Sequence, residues 1–389
     1  MKNELLEKYG AIALNAIFGY EPLKARRIVE TLGGAAPLFL LNQREVRELL
    51  GASFQKFGPK IGDFALEDAR REMEELESAG CDFIPCTSPD FPRELLECED
   101  GPVGLYIKSD SPAREVFNRA PGISIVGTRD ISPYGKQCCQ RIVSSLAEAV
   151  RKPVIISGLA IGVDICAHIC ALETGLATIA VLPTGIDSIY PWRHRGIAER
   201  IVKSSGSALV TDFPPGTGAQ AFTFLRRNRI IAGLGASTIL VESKAKGGGM
   251  ITARLACGYQ RSVFAVPGRI DDLRSAGCNA LMAEKIADTL CSPETLCTEL
   301  GLGYRGTGAS GGLSEELDRK YSSREDFGEI RRIALIIKSS GGINIEELSR
   351  RASLDYAQTA SLAALLESDG LINIDLLQRC TINHMKRNT

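Results

Sequence analysis

The sequence contains no Cys-x-x-Cys pair among its 12 cysteines and only three histidines, His168, His194 and His384, spread widely along the chain. Metal ligands cluster, so no metal site is expected, and the thiols, scattered from Cys81 to Cys380, read as core residues of a reducing compartment. No apolar run approaches the ~18 residues needed to span a bilayer, and Met1-Lys2-Asn3-Glu4 opens into mixed polar sequence without a signal-peptide pattern. The expectation is a soluble, cytoplasmic protein without membrane contact. The 17 prolines, 44% hydrophobic and 24% charged residues exclude a collagen-like, disordered or coiled-coil chain.

What is present is a chain of 389 residues, enough for two or three domains. Its formal net charge of -1 conceals an asymmetry. Between Pro121 and Leu290 there are 19 basic and 12 acidic residues, which leaves 27 basic and 35 acidic elsewhere. A basic segment inside an acidic protein points to an anionic ligand, although a solvated basic face gives the same count.

The first 85 or so residues show apolar spacing at three and four (Ile12, Leu14, Ile17, Phe18, then Leu23, Ala25, Ile28, Val29, Leu32) and read as a small helical unit. Two of its helices meet at Gly19-Tyr20-Glu21-Pro22, like a helix-hairpin-helix or SAM-like turn. Glu21 would repel phosphate there, so a packing or protein-contact role is favoured. From Val103 to Leu290 short β-branched runs alternate with helical stretches, the pattern of a doubly wound, mostly parallel α/β sheet. The predicted strands are 123–126, 154–156, 178–182, 208–211, 238–241 and 263–266. The predicted helices are 134–150, 163–173, 194–203, 225–233 and 250–259. The expected domains are 1–85 (helical), 86–298 (core), 299–325 (linker, with Gly301, Gly303, Gly306, Gly308, Gly311 and Gly312) and 326–389. The last reads as a winged-helix module: helices near 333–337, 345–351 and 355–367, a Gly341-Gly342 turn, and an extended arm from Gly370 to Ile374. Its third helix carries no Lys or Arg between Asp355 and Asp369, so a protein-contact or dimer-supporting role is expected in place of base reading.

Ligands of open α/β sheets bind beyond the carboxyl ends of the strands. The first such loop is Gly127-Thr128-Arg129, followed by Ser132 and Pro133 opening a helix, which suits a phosphate. A GxGxxG, a P-loop lysine and a GxSxG are all missing there, which removes the support for a dinucleotide enzyme, a P-loop NTPase or an α/β-hydrolase. The second is Ser157-Gly158-Leu159-Ala160-Ile161-Gly162-Val163-Asp164, where Asp164 reads as a helix cap and His168 as a core histidine. The third, Phe222-Thr223-Phe224-Leu225-Arg226-Arg227-Asn228-Arg229, sets rings beside guanidiniums, a pairing used by single-strand binders. The fourth, Lys244-Ala245-Lys246-Gly247-Gly248-Gly249 up to Thr252, combines lysines with a glycine-rich anion nest. Basic, glycine-rich loops without an evident nucleophile suit gripping a polyanion better than cleaving one.

This ordered set resembles the DNA-processing protein A (DprA/Smf) family over nearly the whole chain. The resemblance rests on Ser124-Ile125-Val126-Gly127-Thr128-Arg129, Ser157 to Asp164 with His168, Thr184-Gly185-Ile186-Asp187 with Tyr190-Pro191, and Phe213-Pro214-Pro215-Gly216-Thr217. It continues through Arg227-Asn228-Arg229-Ile230-Ile231-Ala232-Gly233, Ile251-Thr252-Ala253-Arg254, Ala265-Val266-Pro267-Gly268 and Ser275-Ala276-Gly277-Cys278-Asn279. It implies a Rossmann-like core, a homodimer, no cofactor and no catalysis. The implied function is binding and protecting single-stranded DNA in natural transformation and loading the RecA recombinase onto it. Residues implied in strand binding are Gly127, Thr128, Arg129, Ser157, Gly158, Phe224, Arg226, Arg227, Asn228, Arg229, Lys246, Gly247, Gly248 and Thr252. The chain departs from the family pattern at Ile161, where Arg or Lys is common, at His194 in place of Asn, and at Asp212 in place of Glu. A rival reading is an enzyme, because the same core resembles nucleotide phosphoribohydrolases. Those carry a PGGxGT run with a glutamate, where this chain has Lys246-Gly247-Gly248-Gly249.

Overall fold

In the computed structural model, described for residues 2–303, 317–318, 320–324, 326–340, 342–375 and 378–382, the chain forms two compact units, Met1–Tyr304 and Arg305–Thr389. The first is built on a nine-stranded sheet of β1 (Cys81–Pro85), β2 (Gly104–Lys108), β3 (Gly122–Val126), β4 (Val154–Ser157), β5 (Thr178–Val181), β6 (Ala208–Thr211), β7 (Ser237–Leu240), β8 (Ser262–Ala265) and β9 (Asp288–Thr289). Their order is β1-β2-β6-β5-β4-β3-β7-β8-β9. Strands β3 to β9 pair in parallel, while β2 joins β6 and β1 joins β2 antiparallel. All the predicted strands form, within a residue or so at each end. The doubly wound α/β expectation therefore holds, with two antiparallel strands and the short β9 added.

Strands β3 to β7 are buried along their whole length, because helices cover both faces. On one face Ile123, Ile125, Ile155, Ile239 and Val241 pack against Cys139, Ile142 and Val143 of the Pro133–Ala147 helix and Val163, Ala167 and Ala171 of the Val163–Thr174 helix. On the other, Val126, Ile156 and Leu240 meet Ile230 and Ile231 of the Ala221–Leu234 helix and Met250 and Ala253 of the Gly248–Gly258 helix. The chain leaves β6 and returns at β7, on the opposite side of β3. That reversal opens a crevice at the carboxyl ends of β3 and β7. The N-terminal helices Lys2–Phe18, Pro22–Leu32, Gln43–Leu50 and Asp63–Ser78 share the second core, through residues such as Leu14, Phe18 and Met73.

In the second unit the helices Phe327–Ser340, Ile345–Ala352 and Tyr356–Ser368 enclose Ile333, Ile337, Leu348, Leu362 and Leu366. Beside them lies a three-stranded antiparallel sheet of β10 (Ile343–Asn344), β11 (Ile372–Ile374) and β12 (Arg379–Ile382), in the order β10-β12-β11. Asn344 and Asp355 cap the last two helices by accepting from Glu347 and Gln358 amides. The predicted linker glycines Gly306, Gly308, Gly311 and Gly312, the turn residue Gly341 and His384 lie outside the described residues. No described helix is long and apolar enough to cross a membrane.

Candidate functional site

Three loops leave the sheet at the reversal and are laced together by backbone. The Thr128 amide donates to the Glu242 carbonyl at 2.7 Å, and the Val163 amide donates to the Thr128 carbonyl at 3.1 Å. Glycine is required at this junction. A Cβ on Gly127 would stand 2.5 Å from Val163 Cγ2 and 2.8 Å from the Glu242 carbonyl, and one on Gly249 would stand 2.7 Å from Leu240 Cδ1 and 3.2 Å from Gly127 Cα. Side chains would hold the loops apart; their absence lets β3 and β7 share one crevice of about 680 Å³.

Cations from the loops after β3 and β7 and from the Ala221–Leu234 helix enter that space. Arg129 lies over the Phe224 ring at 4.8 Å, and Phe224 meets the edge of Tyr190 at 5.4 Å. Arg227 is almost wholly buried and donates from Nη1 to the carbonyls of Gly158 and Val181, both at 2.6 Å. Burial lowers its pKa to about 10, which leaves it a cation at neutral pH. Lys244 and Lys246 complete the basic lining. Two carboxylates also line the crevice, and both have partners. Asp130 pairs with Arg274 at 3.0 Å. Asp164 accepts from the Gly158 and Ala160 amides, at 3.2 and 3.4 Å; burial raises its pKa, and the Arg227 charge opposes that shift.

Two of the helix N-termini at the same edge differ in kind. The Pro133–Ala147 helix, expected to offer its amides to a phosphate, is already closed: buried Glu242 accepts from the Ser132 amide at 2.9 Å and from its hydroxyl. The Gly248–Gly258 helix begins at Gly247 with no side-chain cap. Its positive end therefore remains open to an anion beside the two lysines. Among the described residues no cluster of three His, Cys, Asp or Glu could hold a metal ion.

A family model, DNA recombination-mediator protein A, matches residues 82–301. The chain belongs to that family. It is 34% identical over 295 residues to protein Smf of Synechocystis sp., covering 75% of this chain and 72% of that one. It is 36% identical over 228 residues to protein Smf of Escherichia coli, covering 59% of each. The crystal structure of DNA processing protein A from Streptococcus pneumoniae aligns with a TM-score of 0.61 at 29% identity, over 76% of this chain and 96% of that one. DNA processing protein A from Helicobacter pylori, described for its single-stranded DNA binding mode, aligns with a TM-score of 0.51 at 28% identity, over 58% and 97%.

The family resemblance and the geometry diverge over which residues meet the crevice. Gly127, Thr128, Arg129, Phe224, Arg227, Asn228, Lys246, Gly247, Gly248 and Thr252 line it together. Ser157, Gly158, Arg226 and Arg229 do not, and each has a structural reason. The Ser157 hydroxyl is buried and donates to the Ile125 carbonyl at 2.6 Å. Gly158 lies beneath Arg227, where a Cβ would come within 2.1 Å of Nη1. Arg229 is buried against Asp212 and the Asp100 carbonyl, and Arg226 approaches Asp212 at 3.4 Å and covers the Tyr20 ring at 5.0 Å. The helix starts at Ala221, four residues earlier than expected, so Phe224, Asn228 and Ile231 share one face while Arg226 and Arg229 turn away.

Lys244 and Gly249, within a run already singled out, and Leu225, within another, line the crevice without having been assigned to strand binding; so do Ala221 and Ile231, which helical spacing from Phe224 would have found. Tyr190, named only within the Tyr190-Pro191 motif, meets its ring partner from 34 residues away. Asp164 does not cap its own helix, whose N-cap is Gly162; it holds the preceding loop. His168 is a core histidine as expected, with Nδ1 2.7 Å from the Thr178 hydroxyl.

Proposed function

We propose that this protein binds single-stranded DNA across the β3/β7 crevice and acts as a binding protein without catalysis. The observation that carries the reading is the convergence, in one open crevice, of the Arg129–Phe224 stack with the uncapped Gly247–Gly249 helix start and the Lys244 and Lys246 ammoniums. Phosphates suit the amides and cations, while the ring and the guanidinium stacked on it suit unpaired bases. The single-stranded DNA binding mode of the Helicobacter pylori relative supports the same ligand. Gly127, Thr128, Arg129, Phe224, Arg227, Asn228, Lys246, Gly247, Gly248 and Thr252 are assigned to the strand path, with Lys244 added.

The rival phosphoribohydrolase reading needs an acid free to act on the bound nucleotide, and both carboxylates lining this crevice are engaged by partners. By family resemblance the proposal extends to natural transformation in the cytoplasm, to a homodimer and to loading of a RecA recombinase, with the C-terminal unit as a winged helix serving protein contacts. Fluorescence anisotropy over a salt series tests the core of the reading. Single strands should bind more tightly than duplex, with affinity falling steeply as salt rises. Equal duplex binding or a flat salt response would overturn it. Chromatography of nucleoside monophosphates incubated with the protein should show no released base.

A further inference from the structure

The strand path does not stop at the crevice. Leu225 lines it and is also half exposed, and one turn earlier on the same helix Phe222 is 45% exposed and meets Tyr20 at 5.8 Å. Tyr20, 61% exposed, belongs to the Gly19-Tyr20-Glu21 turn of the N-terminal helices, with Arg226 over its ring. Two exposed aromatic rings thus continue the crevice wall out onto a separate element.

The local charge, read from sequence as hostile to phosphate, is reversed by tertiary contact. Lys24 and Lys56 both bond the Glu21 carboxylate at 2.5 Å, Lys56 arriving from 35 residues away. These bonds hold the Glu21 pKa below its ordinary value, so it stays ionised but is outnumbered. With Arg226 beside it, the turn is cationic.

We propose that Tyr20 and Phe222 form a second base-stacking station, which carries a single strand from the β3/β7 crevice onto the N-terminal helical turn. Cationic flanks with exposed rings suit a nucleic-acid backbone and its unpaired bases. The inference rests on the single-strand reading above and extends it to longer strands.

Oligothymidylates of about 6 and about 15 nucleotides separate the two ideas, since single-strand sites span roughly 4–16 nucleotides. The wild-type protein should bind the longer strand more tightly. Tyr20→Ala and Phe222→Ala should each weaken long-strand binding at least about fivefold while leaving the short strand unaffected, and Tyr20→Phe should behave as wild type. Photocrosslinking with an iododeoxyuridine strand should label Tyr20. If the wild-type protein binds both strands and the alanine variants match it, the second station is refuted while the crevice reading stands. Variants that keep strand binding but lose a recombinase contact would also refute it, in favour of a protein-docking patch. A wild-type protein that binds neither strand removes both readings.

Discussion

Arg229→Ala separates a structural arginine from a strand-binding one. The Arg229 side chain is 7% exposed and the Asp212 side chain 1%; they form an ion pair inside the protein, and Arg229 also donates to the Asp100 carbonyl. Removing one partner of a buried pair costs about 3–5 kcal/mol, because the remaining charge stays desolvated. Here Arg226, 3.4 Å from the same carboxylate oxygen, retains part of the compensation, so the lower end, about 3 kcal/mol, is expected. At roughly 2 °C per kcal/mol for a unit of this size, the melting temperature should fall by about 6 °C in a thermal-shift assay. Below that melting point, binding of a short strand should be close to wild type. Arg129→Ala, removing a guanidinium that stacks on Phe224, should do the opposite: weaken binding and leave melting unchanged. Unchanged melting with lost affinity for Arg229→Ala would refute the structural assignment and return that residue to the strand path.

Lys246→Ala should reduce the slope of log affinity against log salt by about 0.7, the value for one single-strand phosphate contact, and an unaltered slope would remove Lys246 from the path. Gly162→Ala should unfold the site, because φ of +90° disfavours a side chain and the new Cβ would stand 2.2 Å from the Thr128 carbonyl oxygen; a stable, binding-competent variant would contradict that geometry. His168 has its pKa lowered to about 3, by burial first and then by the Arg227 charge, so the unfolded chain binds a proton that the folded one rejects. Stability from this source is fully present above about pH 6.5 and is lost as pH falls towards about 3, at about 1.4 kcal/mol per pH unit. Urea titrations of wild type and His168→Asn across that window should show a shallower decline in the variant.

The parallel strands were legible because each is a run of apolar, often β-branched residues between turn signals, and burial on both faces demands that composition. The antiparallel edge was not. Strand β1 reads Cys-Asp-Phe-Ile-Pro, with an acid and a proline in five residues, a pattern tolerated only where one side of the ladder is unpaired. At the site, the loops could be located but the direction of each side chain could not. Arg226, Arg227 and Arg229 are equivalent as letters, and Asp212 and the Gly158 carbonyl, 17 and 69 residues away, sort them into structural and crevice-facing groups. Glu21 is the same lesson with the sign reversed, since Lys56 joins it only in the fold.

Glu242 accounts for why a carboxylate can sit in the loop that also supplies Lys244 and Lys246. It is 1% exposed, and its two oxygens are taken by the Ser132 amide and hydroxyl. Gly135 leaves it the room, since a Cβ there would lie 2.3 Å from Oε2. The charge is therefore spent on the positive end of the Pro133–Ala147 helix, and the Glu242 carbonyl at the same time anchors Thr128. One terminus is closed from within and the other, at Gly247, is left without a cap. An anion entering the crevice meets the open end next to two lysines, while the acid that fixes the wall is bonded away from it. A carboxylate held in this way steadies the wall of the crevice.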